Sequence, residues 1–319
     1  MKILVLGNGK HTNRRIIPAL KKLNAVTSIV VGDRNVTRDK TIDDLVTISS
    51  YRQSLVSDNV FDLSIIATPP ENHLESFEGI RKKSKKVLIE KPITMDMSYI
   101  STNEFSQYLN RKLLFEAIMY FHHPVWKKVK DIIETKKIIN INAQFSVPHV
   151  GKCDYRYSRH RGGGSLGDQG IYPISLISVL VKENYKINNI STSSAKGYEV
   201  DLSGEIDLTL DSKINFIGKW GLGEDYKNFL KLTEEDGTSY EINFFFSKPD
   251  STEAIINVFK GNSKEEIVVG RYDQFELMYK DALNDNLNNF FYTTPKHLLL
   301  RYSIFKETSV FRLSKTYCL

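Results

Sequence analysis

Cysteine is nearly absent: the 319-residue chain holds only Cys153 and Cys318. Two such distant thiols supply neither a disulfide framework nor a zinc-type spacing, and they fit a reducing compartment. Long apolar runs are also missing. The first stretch, MKILVLGNGK, has a short apolar core before a glycine turn, too short for a secretory leader or a membrane span, and no later run reaches spanning length. A cytoplasmic protein without a membrane partner is therefore expected. There is no internal repeat, no low-complexity segment and no His/Cys/Asp/Glu spacing that calls for a metal. Charge of one sign is not concentrated either. Lys and Arg number 44 against 38 Asp and Glu, a formal net charge of +6. The densest basic run, RKKSKK (81–86), closes a helical stretch, where cations suit the helix dipole. A nucleic-acid partner is not expected, although a modest positive field suits a phosphate-bearing cofactor or substrate.

What is present is a change of pattern along the chain. KILVL (2–6), VTSIVVGDRN (26–35), FDLSIIATPP (61–70), KKVLIEKP (85–92) and KLLFEAIMY (112–120) are short apolar runs ending in polar or glycine residues. Helical stretches lie between them, near 11–23, after Glu71 and near 95–110. Such alternation predicts right-handed crossovers and a doubly wound parallel sheet. Beyond Tyr120 an amphipathic helix (124–134) and a strand-like stretch precede a helix at 172–181. From about 188 to 270 the chain alternates in β fashion, with turns at Asp236-Gly237 and Gly261-Asn262. The fold class expected is α/β followed by α+β. Residues 1–121 are expected to form the parallel α/β domain, and 122–319 an α+β domain with a large, mostly antiparallel sheet.

Chemistry concentrates at the ends of the parallel strands. In GNGKHT (7–12), Gly7 allows the tight turn and Gly9 lets backbone approach a pyrophosphate at a helix N-terminus, with Asn8 between them. Thr12 stands at the usual third glycine. Asp33 ends the second strand, where a carboxylate accepts hydrogen bonds from an adenosine ribose. It repels a 2′-phosphate and favours NAD, while Arg34 beside it leaves NADP open. ATPPENH (67–73) and EKP (90–92) fall beyond the carboxyl ends of the next two strands, which adds Thr68, Pro69, His73, Glu90 and Lys91 to the cofactor cleft. Taken singly, each motif also reads as an ordinary turn, a surface lysine or a helix-surface histidine.

The remaining motif is GGGSLGDQGIYPIS (162–175), preceded by DYRYSRHR (154–161). Asp168 and Tyr172 are four apart and suit one side of a helix; the plain alternatives are a half-buried aromatic and an N-cap. Arg156, Arg159, His160 and Arg161 form either a solvated basic loop or a site for an anionic substrate.

In this order, GNGKHTNR, DRN, ATPPENH, IEKPIT, EAIMYFHHPVWKKVKDII and GGGSLGDQGIYPIS resemble the Gfo/Idh/MocA oxidoreductases. The resemblance implies a Rossmann domain, a C-terminal α+β domain whose open sheet often joins subunits as dimers or tetramers, and NAD- or NADP-dependent redox chemistry on sugars, inositols, sugar acids or nucleotide sugars. It makes Lys91 the group near the nicotinamide that polarises the reacting oxygen. Tyr172 stands where the commonest pattern has histidine, and Ser175 where it has an acid, as in the branch of glucose–fructose oxidoreductase and dihydrodiol dehydrogenases. There the tyrosine supplies the proton. Phe121 occupies a frequent arginine position.

Hydride transfer makes or consumes an alkoxide, which needs a proton partner and a positive charge. A tyrosine titrates near about 10 when free, and a close ammonium lowers that value. The expected roles are Tyr172 as general acid/base, Lys91 as electrostatic group and Asp168 as positioner, with Arg156, Asp168 and Tyr172 toward substrate. The alternatives are a non-catalytic dinucleotide-binding regulator or scaffold of the same fold, and an NAD-dependent glycoside hydrolase.

Overall fold

The computed structural model describes all residues except 57, 95, 152 and 317–319, and omits the side chains of Met97 and 309–316; Cys318 therefore lies outside the described residues. The chain divides into two compact units, 1–122 with 273–295, and 123–272 with 296–319.

The first unit is built on β1 (Lys2–Leu6), β2 (Ser28–Asp33), β3 (Lys40–Thr41), β4 (Val46–Ser50), β5 (Leu63–Ile66), β6 (Val87–Glu90) and β7 (Leu114–Ala117). They form one sheet in the order β3-β4-β2-β1-β5-β6-β7, parallel throughout except for the short edge strand β3. Ile3 to Leu6 are fully buried, as a strand covered on both faces requires. From β1 the strands step outward to β2 and β4, and the chain then crosses back past β1 to β5 on its other side, the kind of switch point where ligands bind beyond the strand ends. Helices α1 (Ile17–Lys21), α2 (Tyr51–Val56), α3 (His73–Ile80), α4 (Met97–Ile100) and α5 (Asn103–Asn110) connect the strands. The sequence reading has no counterpart for β3 and β4: Thr47, Ser49 and Ser50 dilute the apolar signal of VTISS.

The second unit opens with α6 (Pro124–Thr135), followed by β8 (Ile138–Val147) and α7 (Ile171–Leu180). The remaining strands are β9 (Tyr185–Ser193), β10 (Ser203–Leu210), β11 (Ile214–Leu222), β12 (Lys227–Glu234), β13 (Ser239–Asn243), β14 (Ala254–Lys260) and β15 (Ser263–Gly270). The eight-stranded sheet runs β15-β14-β13-β12-β8-β11-β10-β9. Its described pairs are antiparallel apart from β8 with β11. Every residue of α7 from Ile171 to Ser178 is buried, so α7 is a core helix, and it packs on β8 and β11.

After β15 the chain returns to the first unit through α8 (Gln274–Leu283) and the turns at Leu287–Thr293, then supplies α9 (Pro295–Thr316) to the second. This corrects the expected division, which gave all of 122–319 to one domain. The return segment is fixed by buried partners. His122 Nδ1 lies 2.7 Å from Asp281, Phe290 packs on Phe115 with ring centroids 4.4 Å apart, and Tyr292 stacks on Phe121 at 4.5 Å. Lys86 donates to the Ala282 carbonyl at 2.6 Å and pairs with Asp285. The run 81–86 is thus partly engaged, Arg81 also pairing with Glu78 and Glu104, and is not simply a solvated helix end.

Candidate active site

In the first unit, Gly7 sits at φ +110°, and a Cβ there would stand 2.6 Å from the Ala67 carbonyl oxygen. Only glycine suits that turn. At Gly9 a Cβ would meet nothing within 4 Å, so open space adjoins the backbone where the helix begins. Thr12 is fully buried, and its hydroxyl donates to the Gly7 carbonyl at 2.6 Å. It braces the turn from within and does not line a surface, contrary to its expected place in the cleft. Residues Thr12–Ile16 form a wide, π-type turn just before Pro18. At the end of β2, Asp33 accepts from Asn8 Nδ2 at 2.8 Å and from the Asn35 amide at 2.8 Å. Asn8 thus aims the carboxylate, and Arg34 next to it is exposed.

The motifs after β5 and β6 are tied together by His73. It is 1% exposed, with one ring nitrogen 2.9 Å from the Pro92 carbonyl oxygen and the other 2.9 Å from that of Thr68. Burial pushes its pKa down, against the pull of those two carbonyls. Expected as a cofactor contact, His73 is instead a strut between the two loops. The Lys91–Pro92 bond is cis. Glu116 holds the next residue, accepting from the Ile93 amide at 2.8 Å. Burial raises the Glu90 pKa, but the charge and hydrogen bond of His11, 3.0 Å away, and the charge of Lys91 hold it below the usual carboxylate value. The Thr68 hydroxyl and the Tyr279 phenol are buried without a hydrogen-bond partner.

In the second unit the glycine triplet builds a turn. Gly162 is left-handed at φ +76°, and a Cβ on Gly163 would stand 2.5 Å from the carbonyl oxygens of both Tyr155 and Arg156. Gly164, at φ +118°, would carry its Cβ 2.5 Å from Asp201 Oδ1. Asp201 clamps the chain that follows, accepting from Ser165 Oγ and the Leu166 amide at 2.7 Å each. A second π-type turn, Leu166–Gly170, carries Asp168 into α7, again just ahead of a proline, Pro173. Asp168 is 9% exposed and receives Arg156 Nε and Gln169 Nε2. Tyr172 is buried, its ring edge-on to Phe145 at 4.6 Å and 5.7 Å from Phe246. Ser175 donates to the Tyr172 carbonyl at 2.8 Å, within its own helix. Sequence reasoning missed Glu116, Asp154, Gln169 and Asp201. Asp201 gave no signal, being remote in sequence, whereas Gln169 stood in the quoted motif.

The first unit suits a dinucleotide. A glycine-only turn leads into a helix beside open backbone, a carboxylate is aimed at the end of β2, and a buried hydroxyl at Thr68 lacks a partner. With an α+β unit following it, this is the arrangement of two-domain, NAD(P)-dependent oxidoreductases. Residues 1–112 match the model of the GFO_IDH_MocA oxidoreductase family, described as an NAD-binding Rossmann fold. Over those residues the chain is similar to the Gfo/Idh/MocA oxidoreductases.

Among known proteins, it is 24% identical over 281 residues to dTDP-3,4-didehydro-2,6-dideoxy-alpha-D-glucose 3-reductase of Actinomadura kijaniata, covering 86% of this chain and 84% of the relative. The enzyme of the same name from Saccharopolyspora spinosa is 25% identical over 283 residues, with the same coverage of both. The fold superposes on KijD10, a 3-ketoreductase from Actinomadura kijaniata solved with NADP and TDP-benzene, with a TM-score of 0.83 at 21% identity over 97% of each chain. Aldose-aldose oxidoreductase from Caulobacter crescentus gives 0.80 at 16% identity, over 99% of this chain and 98% of that one. Solved forms of KijD10 include one with a tyrosine replaced by phenylalanine and one with a lysine replaced by alanine.

Proposed function

We propose that the chain reduces a keto group on a nucleotide-linked sugar, with Tyr172 as proton donor and Lys91 as the charge that steadies the developing alkoxide. The observation that carries the chemistry is the buried Asp168–Tyr172 segment, built as a glycine-dependent turn into a core helix. The substrate class draws support from the likeness, over 86% of the chain, to sugar-nucleotide 3-reductases. When bound, the nicotinamide supplies the hydride that reduces the carbonyl carbon. The amides of the 7–9 turn would hold the pyrophosphate, Asp33 the ribose hydroxyls, and Thr68 Oγ1 a further polar group. Tyr172 would pass its proton to the carbonyl oxygen as negative charge grows there, and Lys91 would lower the cost of the phenolate left behind. Asp168 would accept a hydrogen bond from a neighbouring sugar hydroxyl and fix the face presented.

Asp33, already aimed by Asn8, would favour NADH over NADPH. We also propose that the open face of the eight-stranded sheet, with half-exposed Asn142, Gln144, Ile217, Phe229 and Lys231, receives a second copy of the chain. Sedimentation at micromolar concentration should give a dimer or larger species, and a monomer would remove that role.

The functional test is a screen of dTDP- and UDP-linked keto sugars, free keto sugars and inositols, following absorbance of each reduced nicotinamide. Turnover of a keto sugar nucleotide with a higher kcat/KM for NADH supports the reading. Turnover of free sugars alone would reject the nucleotide, and release of a free sugar without net cofactor oxidation would mark a hydrolase.

A further inference from the structure

Arg156, in the basic 154–161 loop, is built into the Asp168 turn. Its Nε donates to Asp168 Oδ2, its Nη1 lies 3.0 Å from Asp154 Oδ1, and that same oxygen accepts from the Arg156 amide at 3.1 Å. The guanidinium also lies over the Tyr155 ring, 4.9 Å from its centroid. The backbone is locked as well: the Gly164 amide donates to the Arg156 carbonyl at 2.9 Å, and the Asp168 amide to the Gly164 carbonyl at 3.2 Å. Gln169 adds a second donor to Asp168 Oδ2 at 2.6 Å. Arg156 thus engages two carboxylates, Asp154 and Asp168, at once.

We propose that Arg156 is a positioning residue: held by Asp154 and the glycine-built turn, it fixes the plane of the Asp168 carboxylate for the reaction. The inference rests on the reading that Asp168 takes part in turnover. A guanidinium fork suits the task because it is planar, permanently charged and able to bridge two carboxylates at once. Glycine at 163 follows from the same design, since any side chain there would push the Arg156 backbone away from Asp168.

The test uses the full chain, NADH, and dTDP-3,4-didehydro-2,6-dideoxy-alpha-D-glucose as the probe ketone. Arg156→Met should lower kcat roughly 100-fold, the scale of misplacing a reacting group by an ångström, with KM within about threefold of the parent. Arg156→Lys should recover part of the loss. The double variant R156M/D168N should be no slower than Asp168→Asn alone, because the arginine acts through that carboxylate. Calorimetric binding of dTDP should be the same in R156M and the parent. Multiplying losses in the double variant, or dTDP binding weakened tenfold with kcat intact, would overturn the proposal and make Arg156 an anion receptor. A crystal structure of R156M, or of Arg156→Gln if R156M fails to fold, decides the matter without any substrate: Asp168 should leave its place, and an unmoved Asp168 overturns the proposal. If the parent turns over no keto sugar nucleotide, the proposed substrate fails on its own while this structural comparison still stands.

Discussion

Tyr172 and the dinucleotide turn belong to different units of the molecule, so their contributions should separate experimentally. Tyr172→Phe should reduce kcat by about 10²–10⁴-fold, the usual worth of a general acid, with cofactor affinity unchanged by fluorescence titration; full turnover would remove the tyrosine from the mechanism. Lys91→Ala should lower kcat comparably. The two glycines of the first turn make a sharper contrast. At Gly7 a methyl group collides with Ala67, whereas at Gly9 it enters open space. Gly9→Ala should therefore melt like the parent yet bind NADH at least tenfold more weakly, while Gly7→Ala should lose roughly 1–3 kcal/mol of stability. Equal cofactor affinity in Gly9→Ala would show that the space above the turn is not the pyrophosphate site. Gly7 and Asp33 were legible as the ends of the first two strands, and Lys91 as the residue after β6, because apolar runs and short-range spacing announce such positions. Thr12 and His73 were legible as positions but not as roles, because only tertiary packing turns their polar atoms inward onto carbonyls.

Elements were read well where local pattern governs: α6 and the two glycine-turn hairpins, β12–β13 and β14–β15, fall where amphipathic period and turn residues put them, and α7 falls on its apolar run. The wide turns before Pro18 and Pro173 were not, since proline signals only that a regular helix cannot continue. The cap of α6 carries a prediction. His123, 2% exposed, accepts from the Val125 amide through Nδ1 at 3.1 Å. Burial, helped by the charge of Lys248, pulls its pKa down to about 4. The unfolded chain, titrating near about 6.5, takes up the proton first. The cap therefore stabilises fully above that value, and its contribution of about 3 kcal/mol fades as pH falls toward 4. Melting followed by circular dichroism should show a steep loss between pH 6.5 and 4. In His123→Asn, which keeps an acceptor at the cap, the fall should be shallower, and identical slopes would contradict the assignment.

For the whole molecule, the doubly wound sheet followed by an antiparallel one was legible, because apolar runs bounded by turns and glycines report layer type. The return of 273–295 to the first unit was not, because helical periodicity in α8 says that one face is buried and nothing about which neighbour buries it. That return makes the Rossmann unit discontinuous. A fragment 1–122 should show no cooperative melt, having lost Asp281, Phe290 and Tyr292, the partners of His122, Phe115 and Phe121. The same fragment joined by a short flexible linker to 273–295 should melt cooperatively, and equal behaviour of the two would show the return segment to be dispensable.

The route of the chain also bears on its birth. Domains are commonly completed in the order they leave the ribosome, but here the first unit cannot close until residue 295 has emerged, after the eight-stranded sheet has been made. The nascent Rossmann core must wait, with Phe115 and Phe121 uncovered, while later sequence is translated. A pause or truncation between 122 and 273 would thus leave exposed the surface that a chaperone would have to shield.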